Sequence, residues 1–92
     1  MLKVAIVGCG KIADSHLEQL QRVDCCKVVG ACDREKLMAK QLSERFKIGN
    51  YFNSVDAMLH NLNPDVVHIT TPPQVQFSIG KECLEKGCHV YV

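Results

Sequence analysis

No stretch of this 92-residue chain approaches the ~20 consecutive apolar residues of a membrane span. Its first apolar run, Leu2 to Val7, is too short for a secretory h-region, so a cytoplasmic protein is the expectation. Basic blocks are missing as well. Eleven Lys and Arg against ten Asp and Glu leave a formal charge of +1, spread along the chain, which offers neither nucleic acid nor a membrane surface a footprint. Among six cysteines there is no C-x-x-C, and no Cys/His spacing fits a zinc site, so no metal is expected. Cys25 and Cys26 are adjacent, which disfavours an ordinary disulfide between them. Cys32 and Cys83 fall on apolar faces and read as small buried hydrophobes. The thiols therefore read as reduced and structural. Cys9 stands apart, because it lies beside a helix N-terminus, where thiolates are favoured. With no linker, low-complexity tract or internal repeat beyond alternating elements, the chain is one small domain at most.

What is present is organised around Leu2 to Ala13. An apolar, β-branched run ends in Gly8-Cys9-Gly10, and an amphipathic segment follows with Ala13, His16, Leu17 and Leu20 on one side. Strand, glycine turn and helix in this order form the phosphate-binding opening of a dinucleotide fold. Gly8 permits the sharp turn, Gly10 lacks the Cβ that would hold a pyrophosphate off the backbone, and Ala13 lets helix and strand pack closely. The N–H groups and positive dipole end of that helix then face the anion. A G-x-G-x-x-A alone is weak, since βα-turns use glycine for geometry only. Here a second strand, Lys27 to Cys32, ends in Asp33, 20 residues beyond Ala13, where the fold places the acid that accepts the adenosine ribose hydroxyls.

The rest alternates strand and helix. Helix one is expected from Lys11 to Val23, and helix two carries Met38, Leu42 and Phe46 as its buried stripe. Gly49-Asn50 stops that helix, Tyr51-Phe52 makes a short third strand, and Ser54 caps a helix bearing Val55, Met58, Leu59 and Leu62. Strand four runs from Val66 to Thr70. After Thr71-Pro72-Pro73 comes a helix with Val75, Ile79 and Cys83 on one face, closed by Gly87, and strand five spans Cys88 to Val92. Such alternation implies right-handed βαβ units in a doubly wound parallel α/β sheet of order 3-2-1-4-5. Ligands bind at the carboxyl ends of such strands, at the switch between strands one and four. Gly8 to Ile12, Asp33-Arg34 and Thr70 to Pro73 all fall on that edge.

These residues resemble the N-terminal nucleotide-binding Rossmann domain of the glucose–fructose oxidoreductase/inositol 2-dehydrogenase family (Gfo/Idh/MocA). The match runs through Val4 to Ala13 with His16, Gly30 to Arg34, Tyr51-Phe52, Asp56 to Leu59, Pro64 to Val67, Thr70 to Pro73, and Gly87 to Val90. The resemblance implies an oxidoreductase that uses NAD or NADP to move a hydride to or from a hydroxyl-bearing carbon of a sugar, inositol or related substrate. It implies that Gly8, Cys9, Gly10, Lys11 and Ile12 hold the pyrophosphate and that Asp33 holds the ribose. Arg34 would lie against the adenine or pair with a 2′-phosphate; the acid at Asp33 repels that phosphate, so NAD is the first expectation, and Arg34 keeps NADP open. Thr70, Thr71, Pro72 and Pro73 would line the nicotinamide side, with Gln76 where the family usually has histidine.

The family's strand-five motif continues into a Glu-Lys-Pro whose lysine is catalytic, and this sequence stops at Val92. Residues 1–92 are thus expected to be an incomplete cofactor domain without its substrate domain, inactive alone. Open strand-five hydrogen-bonding groups and apolar surface around Val90 and Val92 would promote self-association. None of His16, His60, His68 and His89 reads as a ligand or base; His16 reads as a structural hydrogen-bonder. Two other classes stay open: a non-catalytic nucleotide-sensing or interaction module, and a methyltransferase. The Thr-Pro-Pro loop argues against the second.

Overall fold

The computed structural model describes all 92 residues. The elements run β1 (Leu2–Val7), α1 (Lys11–Leu20), β2 (Cys26–Cys32), α2 (Lys36–Arg45), β3 (Tyr51–Phe52), α3 (Val55–Leu62), β4 (Val66–Ile69), α4 (Pro73–Glu85) and β5 (His89–Tyr91). The five strands are all parallel, in the order β3-β2-β1-β4-β5. The chain therefore winds outward in both directions from β1, and the switch between the β1 and β4 carboxyl ends opens the expected crevice.

Alternation along the strands divides the core into two layers. Ile6 and Ala31 face one side of the sheet, where Ala13 and Leu17 of α1 and Ala39 and Leu42 of α2 cover them. Ala5, Val7, Val67 and Ile69 face the other, beneath Met58 and Leu59 of α3 and Cys83 of α4. Because β1 is central, Val4 to Val7 are buried on both faces, which is why that run is apolar without alternation.

Local chemistry sets the element ends. Ser54 Oγ accepts the Ala57 N–H and starts α3. Asn63 (φ 45°) ends α3, and Gly87 (φ +85°) follows the end of α4; both adopt the left-handed conformation that reverses a chain after a helix. Pro73 occupies the first position of α4, where its missing N–H costs nothing.

Four expectations need correction. Helix α1 stops at Leu20, since Val23 is exposed and no packing holds a further turn. Helix α2 packs through Ala39, Leu42 and Ser43, leaving Met38 exposed: small Ala39, rather than Met38, faces the sheet and allows close approach. On α4, Val75 is likewise exposed, and Ile79 and Cys83 carry the packing. β5 is confined to His89–Tyr91, and Val90 is half-buried against the α4 layer, so the exposed apolar residues at this edge are Tyr91 and Val92.

Candidate functional site

The turn after β1 is held open by a backbone that only glycine accommodates. Gly8 has φ +97°, and a Cβ there would lie 2.8 Å from the Thr70 carbonyl carbon and the Thr71 nitrogen. The β1 and β4 loops therefore touch backbone to backbone. Thr70 fastens them: its Oγ1 donates to the Gly8 carbonyl at 2.6 Å, with the Val7 carbonyl 3.2 Å away. Gly10 serves differently. It caps α1 with no side-chain hydrogen bond, and a Cβ there would meet nothing within 4 Å. The first N–H groups of α1 have no intrahelical acceptor, so they and the helix dipole make the open side of this turn favourable to an anion. Lys11 and Ile12 stand exposed on the same turn.

Asp33 lies across this turn, at the end of β2. Its Oδ2 accepts the Cys9 N–H at 2.8 Å and its Oδ1 accepts the Glu35 N–H at 2.8 Å. Two backbone donors thus fix the carboxylate plane while its remaining lone pairs stay free to accept ligand hydroxyls. Arg34 is exposed beside it, with no ion-pair partner.

The third wall is Thr70 to Pro73. Thr71 Oγ1 is buried within this loop without a hydrogen-bond partner. Gln76 turns back onto this loop, its Nε2 donating to the Thr71 carbonyl at 2.8 Å, so it braces the loop instead of reaching outward. Pro72 and Pro73 are exposed and stiffen the entry to α4.

The sequence reading missed the flank of the site. Cys9, Gly10, Lys11 and Asp14 together with Met38, Gln41 and Arg45 of α2 line a cavity of about 290 Å³ next to the glycine turn. Arg45 Nη2 meets Asp14 Oδ1 at 2.9 Å across it. The exposure of Met38 belongs here, since it forms part of the cavity wall. A hollow of similar size, about 310 Å³, lies at the opposite end of the sheet around Asn63, Asp65 and Gly87, away from every predicted site residue.

Cys9 is not a thiolate. Its side chain is 2 % exposed, and its Sγ donates to the Cys32 carbonyl at 3.3 Å. Burial, reinforced by the Asp33 charge, pushes the thiol up to about 12. Desolvation outweighs the helix N-terminus, and Cys9 serves the site through its backbone N–H alone. The His16 side chain forms no hydrogen bond, contrary to expectation. Its ring stands edge-on to His68 at 5.9 Å, and Tyr91 tilts against His68 at 4.8 Å. Burial, and then His16, lower the His68 pKa, keeping that imidazole neutral. His60 and His89 are exposed and distant from the turn in sequence. No group of three or more His, Cys, Asp or Glu side chains gathers where it could hold a metal, and no helix is long and apolar enough to cross a membrane.

A glycine turn at a helix N-terminus facing an acid at the end of the next strand is the arrangement of dinucleotide folds, and the chain is similar to known proteins with that fold. The D-glucoside 3-dehydrogenase of Escherichia coli is 32% identical over 90 residues, which are 97% of this chain and 26% of that enzyme. The WlbA dehydrogenase of Chromobacterium violaceum, solved with NADH and UDP-GlcNAcA, superposes with a TM-score of 0.89 at 32% identity, over 97% of this chain and 26% of the other. An Agrobacterium radiobacter oxidoreductase solved with NAD+, L-tartaric acid and magnesium shares the fold, with a TM-score of 0.91 at 22% identity over 97% of this chain and 26% of that one. The chain spans about a quarter of the length of the curated relatives it matches. Residues 2–92 match the profile of the oxidoreductase family with an NAD-binding Rossmann fold, Gfo/Idh/MocA, and the chain belongs to that family.

Proposed function

We propose that residues 1–92 are the NAD-binding domain of a dehydrogenase acting on a hydroxyl-bearing carbon of a sugar, inositol or related compound. The observation that carries this reading is the Asp33 carboxylate, held by the Cys9 and Glu35 N–H groups beside the open Gly10 turn. Gly8 to Ile12 hold the pyrophosphate, Asp33 accepts the ribose hydroxyls, Arg34 flanks the adenine, and Thr70 to Pro73, braced by Gln76, line the nicotinamide side. Bound there, the cofactor supplies hydride chemistry. The chain's own residues bind and orient it.

A fixed carboxylate repels a 2′-phosphate, so NAD is preferred over NADP. The sugar-directed names of the Escherichia coli relative and the Chromobacterium complex support the substrate class. β5 is an edge strand with Tyr91 and Val92 exposed, which supports self-association along that edge. Concentration-dependent sedimentation reads this directly, and a monomer at all concentrations removes it.

A fluorescence or calorimetric titration of NADH and NADPH against wild type and Asp33→Ala tests the function. Saturable NADH binding, weakened at least about tenfold by the substitution, is expected from the loss of a charge-assisted hydrogen bond. Equal binding of NADH to both proteins would refute the assignment of Asp33.

A further inference from the structure

Four of the six thiols are closed to reagents. Cys9, Cys32, Cys83 and Cys88 are all buried, and burial raises each of their pKa values, to about 12 for Cys9 and Cys32 and about 11 for Cys83. The remaining two are neighbours. Cys25 is exposed and Cys26 half-exposed, and their sulfurs lie 4.0 Å apart. Two thiolates on one tetrahedral centre such as zinc lie about 3.8 Å apart, so the pair already spans a single thiophilic atom. Their backbone is pinned: the Cys25 carbonyl accepts the Leu2 N–H at 2.8 Å, and the Cys26 N–H donates to the Val23 carbonyl at 3.2 Å. No third ligating side chain joins them, which leaves a resident metal short of donors but suits a centre that takes two sulfurs.

We propose that Cys25 and Cys26 form a vicinal dithiol site for two-coordinate capture of a trivalent arsenical or a similar thiophile. With an organic arsenic(III) oxide, two As–S bonds form and the As–O bonding breaks. The two thiol protons leave with the oxygen as water, and arsenic stays trivalent. The site is at the amino end of β2, six residues from Cys32 at the crevice end, a separation of about 20 Å along the strand. Capture therefore leaves the glycine turn untouched.

Phenylarsine oxide added to the full chain, followed by intact mass and by competition with N-ethylmaleimide, tests this. The expected result is one arsenical per chain, protection of both Cys25 and Cys26 in peptide maps, and apparent affinity lower by at least about a hundredfold in Cys25→Ser and in Cys26→Ser, since each variant loses the second, intramolecular bond. Circular dichroism checks that both variants fold. Undiminished capture in either variant, an adduct mapping to Cys9, Cys32, Cys83 or Cys88, or no adduct on the wild type would each overturn the proposal.

Discussion

The Cys9 backbone N–H donates to Asp33 Oδ2 at 2.8 Å, joining the glycine turn after β1 to the acid that ends β2. A residue whose side chain is buried thus orients a charge at the surface of the crevice, and the two βα-turns behave as one unit. Asp33→Asn splits that unit. An amide has one oxygen for the two N–H groups that Asp33 now accepts, so one donor is left without a partner. The expected cost is about 1–3 kcal/mol of stability, together with a shift of preference from NADH toward NADPH as the charge is lost. Chemical denaturation and paired titrations measure both.

The two glycines of the turn separate folding from binding. Gly8→Ala places a Cβ against the Thr70 and Thr71 backbone at φ +97° and is expected to cost about 3 kcal/mol, or roughly 12–24 °C of Tm. Gly10→Ala meets no atom within 4 Å and should leave Tm within about 2 °C while weakening NADH binding, because the methyl projects where the pyrophosphate must approach. Thermal melts with and without NADH distinguish the two.

Alkali should unfold the domain through its thiols. Cys9 and Cys32 are raised to about 12 and Cys83 to about 11 from an ordinary 9.0, each first by burial. The folded state then holds protons that the unfolded chain releases. Stability from these groups is complete below pH 9 and is lost as pH rises through 11 to 12. Melts from pH 8 to 11 should show a falling Tm above pH 9, and the fall should be shallower in a folded Cys83→Ala variant.

The face that α2 turns to the sheet gives a further contrast. Leu42→Ala removes a wholly buried side chain and is expected to cost about 2–5 kcal/mol, whereas Met38→Gln, on the cavity wall, should stay within about 0.5 kcal/mol. Urea denaturation of the two variants compares them.

Features written in contiguous residues are legible in the sequence itself. The Gly8-to-Ala13 turn, Asp33 closing a β-branched run, the Ser54 cap and the Gly87 stop each depend on chemistry within a few positions, and the strand order follows from alternation. What escaped depends on docking across the fold. Met38 and Leu42 share a helical spacing, and only the approach of Ala39 to the sheet decides between them. The Asp14–Arg45 pair joins residues 31 positions apart with no shared motif. Cys9 sits where a helix dipole favours a thiolate, yet its side chain turns inward toward the Cys32 carbonyl, and burial prevails.

The most direct test of the account is an amide-resolved NMR titration of the chain with NADH. Dinucleotide held on this turn predicts that the signals of Gly8, Gly10, Lys11, Ile12 and Thr71 shift together and saturate, while those around Asn63 and Gly87, at the other end of the sheet, stay in place. Shifts centred on that opposite hollow, or a folded spectrum that millimolar NADH leaves unchanged, would contradict it.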